Sequence, residues 1–272
     1  MRNQLFAAGK PLVAALIATL IATLVLVGLA PQAPTSAAPA VSTPGALGAD
    51  DAQQAAFIEN RGQLDEEVRY YAQGQTYAFY LTRDRAILSF LDSSAQTRVT
   101  LAVRFPGSSE RGDPRGLDPA DRDVNYFRGV DPTAWRTGIV RYARVQYRDL
   151  WPGIDLHLAD HAGTLKYEFR VQPGALPSNV RLEYAGARSL SIDSSGTLLI
   201  GTALGVMRDA APVSYQIVEG RRLPVVSRFV LTNAARKELG FAVDGYRPDC
   251  ELVIDPRIQY STTLAPAVTP LK

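Results

Sequence analysis

Cysteine occurs once in the 272 residues and histidine twice, while 25 of the 29 basic residues are arginine and only four are lysine. A single cysteine, Cys250, forbids a disulfide within the chain, so the fold must stand on its apolar core. Beside the apolar run 251–254, Cys250 reads either as a small apolar filler or as a free thiol. Two histidines leave little room for nucleophilic catalysis. Any Ser-His or Cys-His pair must use His157 or His161, and neither a Gly-x-Ser-x-Gly elbow nor a phosphate-cradling glycine loop is present. No cofactor is expected on this basis. Excess positive charge is also missing: residues 1–40 hold two basic and no acidic side chains, which leaves 27 of each sign in the remainder. Without a clustered basic surface, nucleic acid is not an expected partner.

What is present begins with a leader. Arg2 and Lys10 precede an apolar run from Leu12 to Ala30 that contains no acidic or basic residue, the pattern of an export signal. The run approaches the ~20 residues that span a bilayer, so cleavage and retention as a membrane anchor through residues 12–30 are both physically open. Ala38-Pro39-Ala40 fits the small-x-small pattern of signal peptidase and favours cleavage near Ala40. No cysteine lies near the run, which argues against an N-terminal lipid anchor. Residues 41–56, rich in Ala, Pro, Ser, Thr and Gly, read as a flexible linker, and 265–272 as a disordered tail. The domain proper is expected over 57–264, outside the cytoplasm.

Within that domain the dominant signal has a period of two residues. In the segment 164–171, Leu165, Tyr167, Phe169 and Val171 fall on one side of an extended chain, and Thr164, Lys166, Glu168 and Arg170 on the other. Val99, Leu101 and Val103 alternate in the same way with Arg98, Thr100 and Arg104. Such short runs, broken by Gly, Pro, Asp and Asn, recur from about residue 68 to 260 and indicate an all-β, antiparallel β-sandwich. Strands are expected at 68–72, 76–81, 86–91, 98–105, 122–127, 139–147, 154–159, 164–171, 179–184, 189–193, 197–201, 212–218, 224–231, 239–243 and 251–254. Asp193-Ser-Ser-Gly196 and Asp160-His-Ala-Gly163 read as hairpin turns. The Pro/Gly-rich stretch at 172–178 leaves two arrangements open, one sandwich or two packed lobes with their boundary there.

Asp155, His157, Asp160 and His161 form the only acid-histidine cluster in the sequence. Asp155, His157 and His161 are thus the candidate metal ligands. On a straight strand, however, His157 and His161 stand ~13 Å apart, too far to share one ion without a bend. Asp131 and Asp255, each before a proline, read as turn carboxylates that bind nearby backbone amides. Trp135 and Trp151 lie beside expected turns and are the candidate ligand-binding residues, since β-sandwiches present tryptophan faces to sugar rings. Arg111-Gly112-Asp113 is an adhesion-type tripeptide in a polar loop, short enough to be accidental.

Six phrases occur in order: Phe57-Ile-Glu-Asn-Arg-Gly-Gln63, Asn125-Tyr-Phe-Arg-Gly129, Trp151-Pro-Gly-Ile-Asp-Leu156, Tyr167-Glu-Phe-Arg-Val-Gln-Pro-Gly174, Pro212-Val-Ser-Tyr-Gln216 and Leu252-Val-Ile-Asp-Pro256. Together they resemble the N-terminal domain of bacterial SBBP-repeat proteins over residues 57–264. In that family a secreted all-β domain of unknown function precedes β-propeller repeats on cell-surface proteins. The resemblance implies an exported, non-catalytic structural or interaction module, whose partners would be a surface polysaccharide or another surface protein, and it brings no catalytic residues. The run 258–264 resembles the lead into a propeller repeat, but 265–272 does not continue it, which leaves a truncated and a free-standing copy both open. The alternatives are a carbohydrate-binding module and a glycosidase working through two carboxylates, which needs no sequence signature.

Overall fold

A computed structural model describes residues 56–92, 97–110, 112–127, 129–161 and 164–259. The expected leader, the linker except Ala56, and the tail lie outside the described residues, as does Arg111. The alternating runs become eighteen strands: β1 (Phe57–Glu59), β2 (Tyr70–Gln73), β3 (Tyr77–Leu81), β4 (Arg85–Asp92), β5 (Thr97–Arg104), β6 (Pro114–Pro119), β7 (Val124–Tyr126), β8 (Arg136–Ile139), β9 (Arg141–Trp151), β10 (Ile154–His161), β11 (Thr164–Val171), β12 (Leu182–Ala185), β13 (Ser189–Ile192), β14 (Leu198–Thr202), β15 (Gly205–Val218), β16 (Arg221–Asn233), β17 (Glu238–Asp244) and β18 (Leu252–Gln259). No α-helix occurs among the described residues.

Sixteen strands make one sheet in the order β13, β14, β15, β16, β17, β12, β5, β4, β3, β2, β1, β9, β10, β11, β18, with β6 added on β9. Because β18 also pairs with β15, through Ser214 opposite Ile254 and Gln216 opposite Leu252, the sheet returns on itself. Its interior is one apolar cluster. Leu81, Leu88 and Leu101 on β3 to β5 share it with Tyr147, Leu156 and Phe169 on β9 to β11, and a small cavity of about 30 Å³ is lined from both groups. Two layers facing each other across one core are the sandwich that the alternation indicates. Residues 172–178 carry the chain from β11 to β12, and the buried residues on either side of that crossing belong to the same cluster.

Specific bonds tie the layers. The Tyr147 hydroxyl donates to the Thr82 carbonyl at 2.6 Å. The Trp151 indole sits edge-on to Phe105 and against Phe169 and donates its Nε1–H to the Pro106 carbonyl at 3.0 Å. Tyr167 donates to the buried Asp209 carboxylate at 2.6 Å.

Several strands depart from the expected boundaries: β1, β6 and most of β8 lie outside the expected runs, β9 and β18 run on to Trp151 and Gln259, and β15 starts early. β6 lies where the prolines and glycine of Pro114–Pro119 indicate loop. It pairs only with β9, and an edge tolerates proline because one row of amides needs no partner. Gly116 is required there: a Cβ would lie 2.3 Å from Cγ of Tyr142, whose ring covers the glycine backbone. β15 begins at Gly205, although the alternation places its start at 212. The turn chemistry, by contrast, is as expected between β13 and β14, where the Asp193 carboxylate accepts from the Ser195 and Thr197 amides.

Candidate functional site

The first two of the six phrases meet in space. Asn60 organises the loop after β1: its amide nitrogen donates to the carbonyls of Asp65 (2.7 Å) and Val68 (2.8 Å), and its Oδ1 accepts from the amides of Gly62 and Leu64. Gly62, at φ 99°, provides the left-handed step that the loop needs. Gln63 then reaches back, donating to the Glu59 carbonyl at 2.9 Å and to the Tyr71 hydroxyl at 3.3 Å. One asparagine therefore shapes the loop 61–68. Replacing Asn60 by Ala is expected to cost about 1–2 kcal/mol, since several half-buried and exposed backbone groups lose one partner together; thermal unfolding checks the magnitude and limited proteolysis within 61–68 checks the place.

The second wall is the hairpin β7–β8. The Asn125 side chain accepts from the Gly138 amide at 2.8 Å and clasps the two strands. Between them, Asp131 accepts from the Thr133 amide at 2.9 Å and caps a 3-10 turn at Pro132–Ala134. That bond holds the Asp131 carboxyl below its usual range, in keeping with the turn role expected for it. Asp255 differs: it pairs with Lys166 at 3.5 Å, and its Oδ1 is buried without a partner. Arg136 joins the walls, its Nε donating to the Arg61 carbonyl and its Nη1 to those of Thr133 and Trp135, all at 3.0 Å.

Between loop and hairpin runs an open groove of about 450 Å³, lined by Gln63, Tyr71, Gln73, Tyr126, Phe127 and Arg136 among others. That volume lies within the range of small-molecule sites. Phe127 is 63% exposed and Trp135 37%; the rings meet edge to face with centroids 5.2 Å apart. Trp135 donates Nε1–H to the Gly129 carbonyl at 3.2 Å, which fixes the ring without solvent. Burial, then the neighbouring Tyr126 hydroxyl, pushes the Tyr71 phenol upward, so it stays protonated and can donate.

The two tryptophans thus part company. Trp135 stands beside the groove, its ring packed edge to face on Phe127 of the lining. Trp151 is 1% exposed in the core and has no face to offer a ligand, so the expectation for it is corrected. Its indole is held by rings on both sides.

The acid-histidine cluster lies elsewhere, on the outer face of β9 to β11. Asp155 and His157 do share the outward side of β10, but both Asp155 oxygens are engaged, Oδ2 with Gln146 at 2.9 Å and Oδ1 with the Asp149 amide at 2.7 Å. Both ring nitrogens of His157 are shielded and lack partners. Burial, followed by the Arg170 charge, lowers its pKa and keeps the imidazole neutral. The side chain of His161 lies outside what the structure describes. Among the described residues no group of three His, Cys, Asp or Glu side chains could hold a metal ion. Cys250 is half-buried and unpaired, its carbonyl accepting from Gln216.

Gln63, Tyr126, Phe127 and Arg136 were not among the residues singled out from the sequence. For the first three the signal was the pair of phrases 57–63 and 125–129, whose glycines read only as turns until the loop and hairpin stood side by side; Arg136 lies in neither phrase. Residues 57–257 match the family of a domain of unknown function, DUF7948. Nothing among curated proteins or solved structures matches the chain.

Proposed function

The chain belongs to the DUF7948 family, a domain of unknown function that covers residues 57–257, and from that premise we propose that it is an exported, non-catalytic interaction module which holds its ligand in the groove between the β1–β2 loop and the β7–β8 hairpin. The observation that carries this is the exposed ring of Phe127, which lines that groove on a bonded wall with Trp135 packed against it. Large apolar side chains left in water, fixed rather than mobile, favour a binding surface. Export rests on the leader pattern of residues 1–40 and surface placement on the resemblance to the domain that precedes SBBP propeller repeats.

Binding without turnover is favoured by the lining, in which no carboxylate appears among the described residues, whereas two-carboxylate glycoside hydrolysis needs a facing pair. Glu59 and Asp113 do share a neighbouring cleft, of about 270 Å³. Both are taken up in ion pairs, Glu59 with Arg61 at 3.0 Å and Asp113 with Arg69 at 3.4 Å. The test has two arms. Fractionation of the producing cells should place the protein outside the cytoplasm, open to added protease, and a purified sample should retain ligands from a polysaccharide and surface-protein panel without releasing reducing ends. Cytoplasmic localisation, or hydrolysis lost in Glu59→Gln or Asp113→Asn, would contradict the proposal.

A further inference from the structure

We infer that the groove accepts a saccharide bearing a carboxylate, a uronic acid unit, with Arg136 as its anion partner. The inference rests on the groove being the binding site of the proposed module and adds its chemistry.

Charge gives the first step. Arg136 is tied by three bonds to backbone carbonyls of Arg61, Thr133 and Trp135, so its guanidinium is held in place. Those bonds use Nε and Nη1; Nη2 has no partner among the described residues, and no described carboxylate lies within ion-pair distance. Arg61, the other arginine of the loop, is neutralised by Glu59. Among its described lining residues the groove therefore holds one fixed positive charge, that of Arg136, with no ion-pair partner. A planar guanidinium matches a carboxylate in shape as well as sign.

The remaining lining decides what carries the carboxylate. Phosphate-rich ligands would call for several cations, and Arg136 is the one cation among the described residues of the lining. The other polar groups are neutral: the Tyr126 phenol, the Gln63 amide already oriented by Glu59 and Tyr71, and the Gln73 amide, which is exposed and has no partner among the described residues. Amides and phenols meet hydroxyls by donating and accepting at once. Phe127 supplies an exposed apolar face, and with the Trp135 N–H already satisfied by Gly129 the ring pair offers C–H and π surface of the kind that covers the apolar side of a sugar ring. Hydroxyls, one apolar ring face and one carboxylate together describe a hexuronic acid.

The test titrates the purified chain with trigalacturonate, with its carboxyl-reduced counterpart and with a neutral trisaccharide, and repeats the series with oligomers of glucuronate, mannuronate and guluronate. The expected result is saturable binding of at least one uronate, weakened about tenfold or more by carboxyl reduction and by the Phe127→Ala variant, whose melting temperature stays near that of the parent. Because Arg136→Gln also removes loop bonds, Phe127→Ala keeps the site testable apart from folding. Equal binding of acidic and reduced forms, or preference for neutral sugars, overturns the inference while leaving the module intact. So does uronate binding unchanged in Phe127→Ala. Failure of every uronate, or retention of peptides ending in a free carboxylate instead, overturns it too, and the panel described above then decides separately whether the groove binds anything.

Discussion

Asp209→Asn flattens the pH dependence of stability by about 3 kcal/mol between pH 5 and pH 8. Asp209 is fully buried, its Oδ2 accepts from Tyr167 at 2.6 Å and its Oδ1 has no partner. Burial raises its pKa from 3.8 to about 7, outweighing the opposing bond from Tyr167. The folded state therefore binds a proton that the unfolded state releases near 3.8. The stability it provides is complete below the unfolded value, falls as pH rises between the two, and levels off above about 7. Each pH step within the window costs about 1.4 kcal/mol. His157 works in the opposite sense, because its lowered pKa makes stability fall as pH drops below the usual imidazole value. The comparison must therefore be the difference between the parent and Asp209→Asn at each pH, which cancels the histidine. Chemical denaturation at pH 5, 6, 7 and 8 supplies it, and a constant difference would contradict the assignment. The neutral amide leaves the two N–H donors of its buried NH2 unpaired, so the expected signature lies in the slope rather than in the absolute stability.

Trp151→Ala is expected to cost about 3–5 kcal/mol, the range for removing a large buried ring. The indole joins Phe105 to Phe169 and takes up the Pro106 carbonyl, so its loss opens a cavity where the layers meet and leaves a carbonyl unsatisfied. Trp135→Ala should cost under about 1 kcal/mol, as an exposed side chain with one bond does. Ligand binding should show the reverse order: Trp135→Ala weakens it, and the folded fraction of Trp151→Ala retains it. Equal stability losses would mean that the two rings share one environment.

That contrast shows where the sequence is legible. Strand after strand follows from the period of two, because an inner apolar and an outer polar position are independent of what the strand pairs with. Trp135 and Trp151 both flank turns, and nothing in their immediate neighbours tells which ring faces the core. Their burial is decided by Phe105 and Phe169, far apart in the chain. β15 shows a second limit. Its first half puts Met207 and Asp209 inward, and the register then slips between Ala210 and Val213, so Pro212, Ser214 and Gln216 become the inner residues. A buried carboxylate and a change of parity erase the alternation across a bulge. The groove was legible only in part. Each wall has its own phrase, yet their proximity depends on Arg136 reaching the Arg61 carbonyl across 75 residues.

The chain contains two tryptophans, so its nitrogen-15 spectrum shows two indole N–H resonances from side chains, one beside the groove and one in the core. Following both while a surface-derived ligand is added tests the central claim most directly. The groove as binding site predicts that the Trp135 resonance moves in step with saturation while that of Trp151 stays in place. A ligand that saturates the protein and leaves Trp135 unmoved, or moves Trp151 alone, would place binding elsewhere and contradict the account.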